Sequence, residues 1–207
     1  MSHQGQAGFT LIETMVTVFI VAIGLLTAAG LQAVSKKAAY DAMQRTTASV
    51  LAQDMLERIR SNSGMVNAYV GKDVKAQPAT VACGGSAAGS AACSPGDLVL
   101  LDYYQWWEAL DGAKEVIGTG SGGTENAGGL RYPIGCVRRV GTTSVVEVII
   151  EWRGMSKIDQ TPDSTNLDDA TAGTCGFPDF ERTYYELDTS NQSYRRVLRV
   201  QAHIQTP

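Results

Sequence analysis

At 207 residues the chain is long enough to bury one sizeable core, and that length points to one domain or at most two. A composition of 44% hydrophobic and 18% charged residues is ordinary for a soluble protein, but the apolar residues are unevenly spread, with an uncharged run from Thr14 to Ser35. The formal net charge of -4 gives no large positive field, despite Arg195, Arg196 and Arg199 near the C-terminus, and excludes nucleic acid as a general partner.

The first predicted element is a helix. Over the uncharged run it would reach roughly 33 Å at about 1.5 Å per residue, enough to cross a hydrocarbon core of about 30 Å once. No proline occurs before Pro78, and the residues as far as Arg60 are good or tolerable helix formers, so one helix is predicted from about Thr10 to Ser63. Its outer half is amphipathic: Ala48, Leu51, Ala52, Met55 and Ile59 recur at helical spacing, with Gln44, Arg45, Asp54, Glu57 and Arg58 largely elsewhere. Ser61-Asn62-Ser63-Gly64 supplies the stop, Gly64 suiting the left-handed position after a helix end. Gly24 and Gly30 soften the apolar half, and their spacing is not the G-x-x-x-G of a dimer motif.

An ordinary secretory signal has a basic start and an apolar stretch of about 7–15 residues. Here the opening MSHQGQAG has no Lys or Arg, the run is longer, and Glu13 stands at its start, although Ala28 and Gly30 are small enough for a cleavage site. A plain membrane anchor explains the length and leaves the acid unexplained. A carboxylate inside a bilayer costs about 2.5–3.5 kcal/mol at a helix centre, less near an end, so Glu13 needs a partner or a headgroup position.

From Met65 to Gly96 the chain is rich in Ala, Gly and Ser and reads as a loop. Cys83, Cys93, Cys136 and Cys175 all follow the apolar segment, an even number that suits an oxidising compartment and allows three pairings. The short gap across GGSAAGSAA favours Cys83 with Cys93, leaving Cys136 with Cys175. No C-x-x-C pair is present, and His3 and His203 are far apart, so no metal site is expected.

Asp97 to Leu110, containing DYYQWWEAL, reads as a short helix displaying aromatic residues, and GTGSGGTENAGG after it as a glycine-rich turn lacking the ending of a phosphate loop. Three strands are predicted, on the phases Tyr132, Ile134, Cys136, Val140; Val146, Val148, Ile150, Trp152; and Leu198, Val200, Ala202, Ile204. They should form a small antiparallel sheet. The acidic stretch Asp159 to Phe180 holds Asp163, Asn166, Asp168 and Asp169, whose spacing is not that of an EF-hand and which favour a solvated loop over a calcium site.

Gly8-Phe9-Thr10-Leu11-Ile12-Glu13 resembles the processing motif of type IV prepilins and type II secretion pseudopilins. The resemblance implies an α+β, type IV pilin-like fold in which a long N-terminal helix packs against a small antiparallel sheet. It divides the chain into a cytoplasmic leader over 1–8, a spine helix over 9–63 (9–35 transmembrane, 36–63 amphipathic) and a periplasmic globular domain over 64–207. A prepilin peptidase would cut between Gly8 and Phe9, with N-methylation of Phe9, and Glu13 of one subunit would pair with the Phe9 amine of another, fixing register. Leaders of that family usually contain Lys or Arg; this one does not.

AIGLLTAAGLQA and AYDAMQRTTASVLAQDMLERIRSN are similar to the minor pilin family PilV, the type IV pilus modification proteins, as are VVEVIIEWRG and YRRVLRVQAHI less specifically. That likeness implies a priming role at or near the pilus tip, without catalysis or cofactor. The partners implied are other minor pilins, the major pilin, the assembly platform and a tip adhesin. The alternative in the same class is a minor pseudopilin of a type II secretion system. From a different class comes a membrane-tethered binding or hydrolytic domain, with Tyr103, Tyr104, Trp106 and Trp107 as a ligand platform and His203 as the histidine that a Ser-His-Asp set would have to use.

Overall fold

The computed structural model describes residues 8, 10–81, 83, 92–118, 123–126, 128–159 and 192–205. The chain divides into two compact units, Met1–Tyr40 and Asp41–Pro207, and helix α1 (Leu11–Ser61) contributes to both.

In the first unit α1 is unbroken through Gly24 and Gly30. Prolines are absent, and neither glycine interrupts the backbone ladder.

In the second unit α1 ends two residues earlier than the sequence suggests. The Ser61 hydroxyl donates to the Arg58 carbonyl at 2.8 Å, and the Asn62 amide reaches the Pro95 carbonyl at 2.9 Å, drawing the chain off the helical path. Gly64 does not take the expected left-handed position; it lies inside a 3-10 turn, Ser63–Met65. The stretch expected to be a loop from Met65 instead forms a short helix α2 (Val66–Tyr69) and a strand β1 (Lys72–Val74). The left-handed residue between them is Gly71, at φ 81°.

Helix α3 (Pro95–Asp111) starts earlier than expected because Ser94 and Asp97 form a capping box: the Asp97 N–H donates to Ser94 Oγ at 3.1 Å, and the Ser94 N–H to Asp97 Oδ2 at 3.3 Å. It ends at Gly112 in the left-handed conformation, where a β-carbon would lie 2.0 Å from the Gly128 carbonyl oxygen. The segment expected as a glycine-rich turn contains a two-stranded hairpin, β2 (Val116–Gly118) with β3 (Thr124–Asn126).

The main sheet combines β1 with β4 (Ile134–Arg139), β5 (Val145–Asp159) and β6 (Gln192–His203) in the antiparallel order β1-β4-β5-β6. The register pairs Val137 with Val148 and Val148 with Val200, and is broken by a bulge between Arg153 and Ile158. Val146, Val148, Ile150 and Trp152 face a core closed by Ala48, Ala52, Met55 and Ile59 of α1 and by Val99, Tyr103, Trp106 and Leu110 of α3. Each fully buried aliphatic side chain there contributes about 1.5–3 kcal/mol.

The phase expected for β4 is half corrected. Ile134 and Cys136 are buried, but with Ile149 on the other side of the sheet, while Val137 joins the main core. Tyr132, at φ 50°, and Val140 lie outside the strand and are exposed. Both sides of β4 are covered, so an alternating apolar phase is a poor guide to it.

Candidate assembly element

The chain's functional geometry begins at the exposed Gly8 and at Thr10, which caps α1. The Glu13 N–H donates to the Thr10 carbonyl at 3.1 Å and lies 3.4 Å from Thr10 Oγ1, so this hydroxyl and the acid stand in a Ser/Thr-x-x-Glu relation at the helix start. Glu13 is exposed in the first turn, where its charge opposes the positive end of the helix dipole. Phe9 lies outside the described residues, so the Glu13–Phe9 pair expected from the motif falls outside them too.

Along the next turns every large apolar side chain points into solvent: Leu11 is 77% exposed, Phe19 66% and Leu26 77%, and no residue of the apolar window is buried. A monomer's largest exposed apolar patch is normally about 300–600 Å². A continuous apolar helix of this kind calls for a lipid or protein cover. The threonines within it do not spoil that surface, because Thr14 donates to the Leu11 carbonyl at 2.8 Å, Thr17 to Thr14 at 2.9 Å and Thr27 to Ile23 at 2.9 Å. Helix α1 is long and apolar enough to cross a membrane.

The second unit is locked by polar contacts that the sequence pattern hides. Gln44, expected on the outer face, is buried; its amide donates to the Gly129 carbonyl at 3.2 Å and its Oε1 accepts from the Arg131 N–H at 3.3 Å. Its position four residues before Ala48 on the buried stripe was the available signal. Arg58 spans α1 and α3, bonding Asp54 at 2.8 Å, Asp102 at 3.1 Å and Gln105 at 2.8 Å. Tyr69 donates to the same Asp102; burial, and then that carboxylate, push the tyrosine hydroxyl well above its ordinary pKa and keep it a donor. Asp41 of α1 accepts from the Met155 N–H at 2.9 Å and approaches Arg196 at 3.4 Å, tying the bulged end of the β5–β6 ribbon to the helix.

Tyr103 and Trp106 are core residues rather than a platform: the Tyr103 hydroxyl donates to the Tyr69 carbonyl at 2.7 Å, and Trp106 Nε1 to the Leu51 carbonyl at 3.0 Å. Tyr104 and Trp107 are half-buried. His203 is exposed at the end of β6. Cys83 and Cys93 are joined by a disulfide, with their Cα atoms 5.0 Å apart. Cys136 is buried and disulfide-bonded; Cys175 lies outside the described residues, as do Asp163, Asn166, Asp168 and Asp169 of the considered calcium loop. Among the described residues no group of three His, Cys, Asp or Glu side chains could hold a metal ion.

A long N-terminal apolar helix with a small four-stranded antiparallel sheet is a type IV pilin-like α+β fold. Residues 30–104 match the model of the Tt1218-like family, described as type IV pilin Tt1218, and residues 3–29 match the prokaryotic N-terminal methylation motif. No curated protein and no solved structure matches the chain significantly. The two family matches support a type IV pilin incorporated in a pilus, and pilins are a structural family, not an enzyme family. The motif and the apolar helix fit a membrane-anchored pilin. Such a protein would interact with other pilus components and, through the motif, with a prepilin peptidase.

Proposed function

We propose that the chain is a minor pilin of the PilV kind that primes pilus assembly and is carried at or near the tip. On this reading a prepilin peptidase removes residues 1–8 at the cytoplasmic face, Phe9 becomes the N-methylated first residue, 9–35 anchors the subunit, and 64–207 folds in the periplasm before assembly. Cleavage at Gly8 leaves the anchor in place. The observation that carries the reading is GFTLIE at the head of a helix whose apolar side chains are exposed. Support for a minor rather than a major subunit comes from the likeness of AIGLLTAAGLQA and the segment following it to PilV. Its partners are then the other minor pilins, the major pilin, the assembly platform and a tip adhesin.

N-terminal mass spectrometry of the protein from sheared pili tests this directly. The expected first residue is N-methylated Phe9, in a band far weaker than the major pilin. A polypeptide still beginning at Met1, or beginning after Ser35, would overturn it. Absence from pili together with lost exoprotein secretion on gene deletion would replace it with the type II secretion pseudopilin.

A further inference from the structure

After β1 the chain passes beside α3, where the Gln77 amide donates to the Tyr104 hydroxyl at 3.2 Å. Between this segment, β1 and α3 lies a cavity of about 530 Å³, a volume that suits one small ligand. Every residue lining it is among the described ones. Val74, Pro78, Val81 and Leu100 give it aliphatic walls, and Tyr103 an aromatic one. The Tyr103 hydroxyl already donates to the Tyr69 carbonyl, so this residue offers its ring rather than a free donor. Leu100, at 47% exposure, is apolar surface that an occupant would cover.

Three charged residues line the cavity, and they are not equivalent. Side chains alternate along β1, so Lys72 and Val74 share the side of the sheet that carries the main core. Asp73 has the opposite side, where its carboxylate lies 3.8 Å from Arg138. Lys75 has an interaction of its own. The Lys72 ammonium stands 5.8 Å from the centroid of the Tyr103 ring, and among the described residues no carboxylate or hydrogen-bond acceptor reaches it. A cation over a ring face keeps N–H donors for a second partner. The cavity therefore joins aliphatic walls to one positive charge, which matches an apolar chain with a negative head. Its volume suits one such chain rather than the two of a phospholipid.

We propose that this cavity binds a single-chain aliphatic carboxylate, its chain packed against Val81 and Leu100 and its carboxylate on the Lys72 ammonium. The site lies wholly within the second unit and does not depend on whether the chain is a minor pilin. The competing role for Lys72 is to cover the Tyr103 ring with its own methylenes and nothing more.

The test uses the full chain in detergent micelles and three probes of equal chain length: octanoate, octanol and octylammonium. Amide chemical shifts at Val74, Val81 and Leu100 report binding at the cavity separately from uptake by the micelle, and affinities are referred to the probe free in the dialysate. Octanoate should shift these amides saturably and bind about tenfold more tightly than octanol, with octylammonium weaker than both. Decanoate should bind more tightly than octanoate by about fourfold for each added methylene. Lys72→Met, which keeps an apolar stem and removes the charge, should bring octanoate down to the affinity of octanol. Leu100→Trp, which fills the cavity, should abolish binding of both. Should that variant fail to fold, the Lys72→Met comparison decides. Octanol binding as tightly as octanoate, an octanoate affinity unchanged by Lys72→Met, or no saturable shift at these amides would overturn the proposal.

Discussion

Inside the sheet Arg195 grips Glu151 with two hydrogen bonds, Nε to Oε2 at 3.1 Å and Nη2 to Oε1 at 2.6 Å, and both side chains are almost wholly buried, at 2% and 0% exposure. Taking two charges out of water costs several kcal/mol each, and their attraction offsets this only while both are present. Arg195→Met should therefore destabilise the protein by about 3–5 kcal/mol, because Glu151 keeps its buried charge and loses a partner. The double change Glu151→Leu with Arg195→Met should recover most of that loss. Urea unfolding of the full chain in mild detergent measures both, and a single variant within about 1 kcal/mol of the parent would remove the pair from the account of stability.

Between elements α3 fits closely against β4. Trp106 lies over Gly135 so closely that a β-carbon there would come within 2.4 Å of its ring and 2.9 Å of Leu110 Cδ1. The indole cannot easily retreat, since its Nε1 is held by the Leu51 carbonyl of α1. Gly135→Ala should cost about 1–3 kcal/mol by overpacking, lowering Tm by about 2–4 °C for each kcal/mol and altering the near-ultraviolet signal of Trp106. A parental Tm with an unchanged aromatic spectrum would show that the layers can part. This contact also marks where sequence reading stops. The α1 stripe and the β5 and β6 phases were legible because one side of each is apolar and periodic. Gln44 reads as outward because a polar residue usually is, yet a chain crossing at Gly129 and Arg131 gives its amide partners. Gly64 reads as a cap because glycine suits that position, yet Asn62 and Ser61 end the helix with side-chain bonds instead. The start of the apolar helix and its acid were legible from local sequence; the lock formed by Arg58, Asp102 and Tyr69 was not, because its members are up to 44 residues apart.

For the whole molecule the question is what a single acid does at the head of an otherwise uncharged membrane-length helix. The helix N-terminus favours the Glu13 charge by about 0.3–1 kcal/mol, with or without the proposed processing. A unit positive charge about 4 Å away is worth about 4 kcal/mol at an effective dielectric constant near 20, so the amine proposed to appear at Phe9 is the stronger partner. It stands four residues before Glu13 in the sequence, and staggered packing of neighbouring subunits would bring it to the acid of another. Glu13→Ala should then leave cleavage and membrane insertion near the parental level while lowering the amount recovered in sheared pili at least about tenfold, the equivalent of about 1.4 kcal/mol. Glu13→Asp, with the charge kept and the reach shortened, should fall between. Immunoblots of membrane and pilus fractions, using the size shift on cleavage, separate the two steps. Equal incorporation of the Ala variant would leave the acid with no role in register, and a block at cleavage would assign Glu13 to recognition by the peptidase instead.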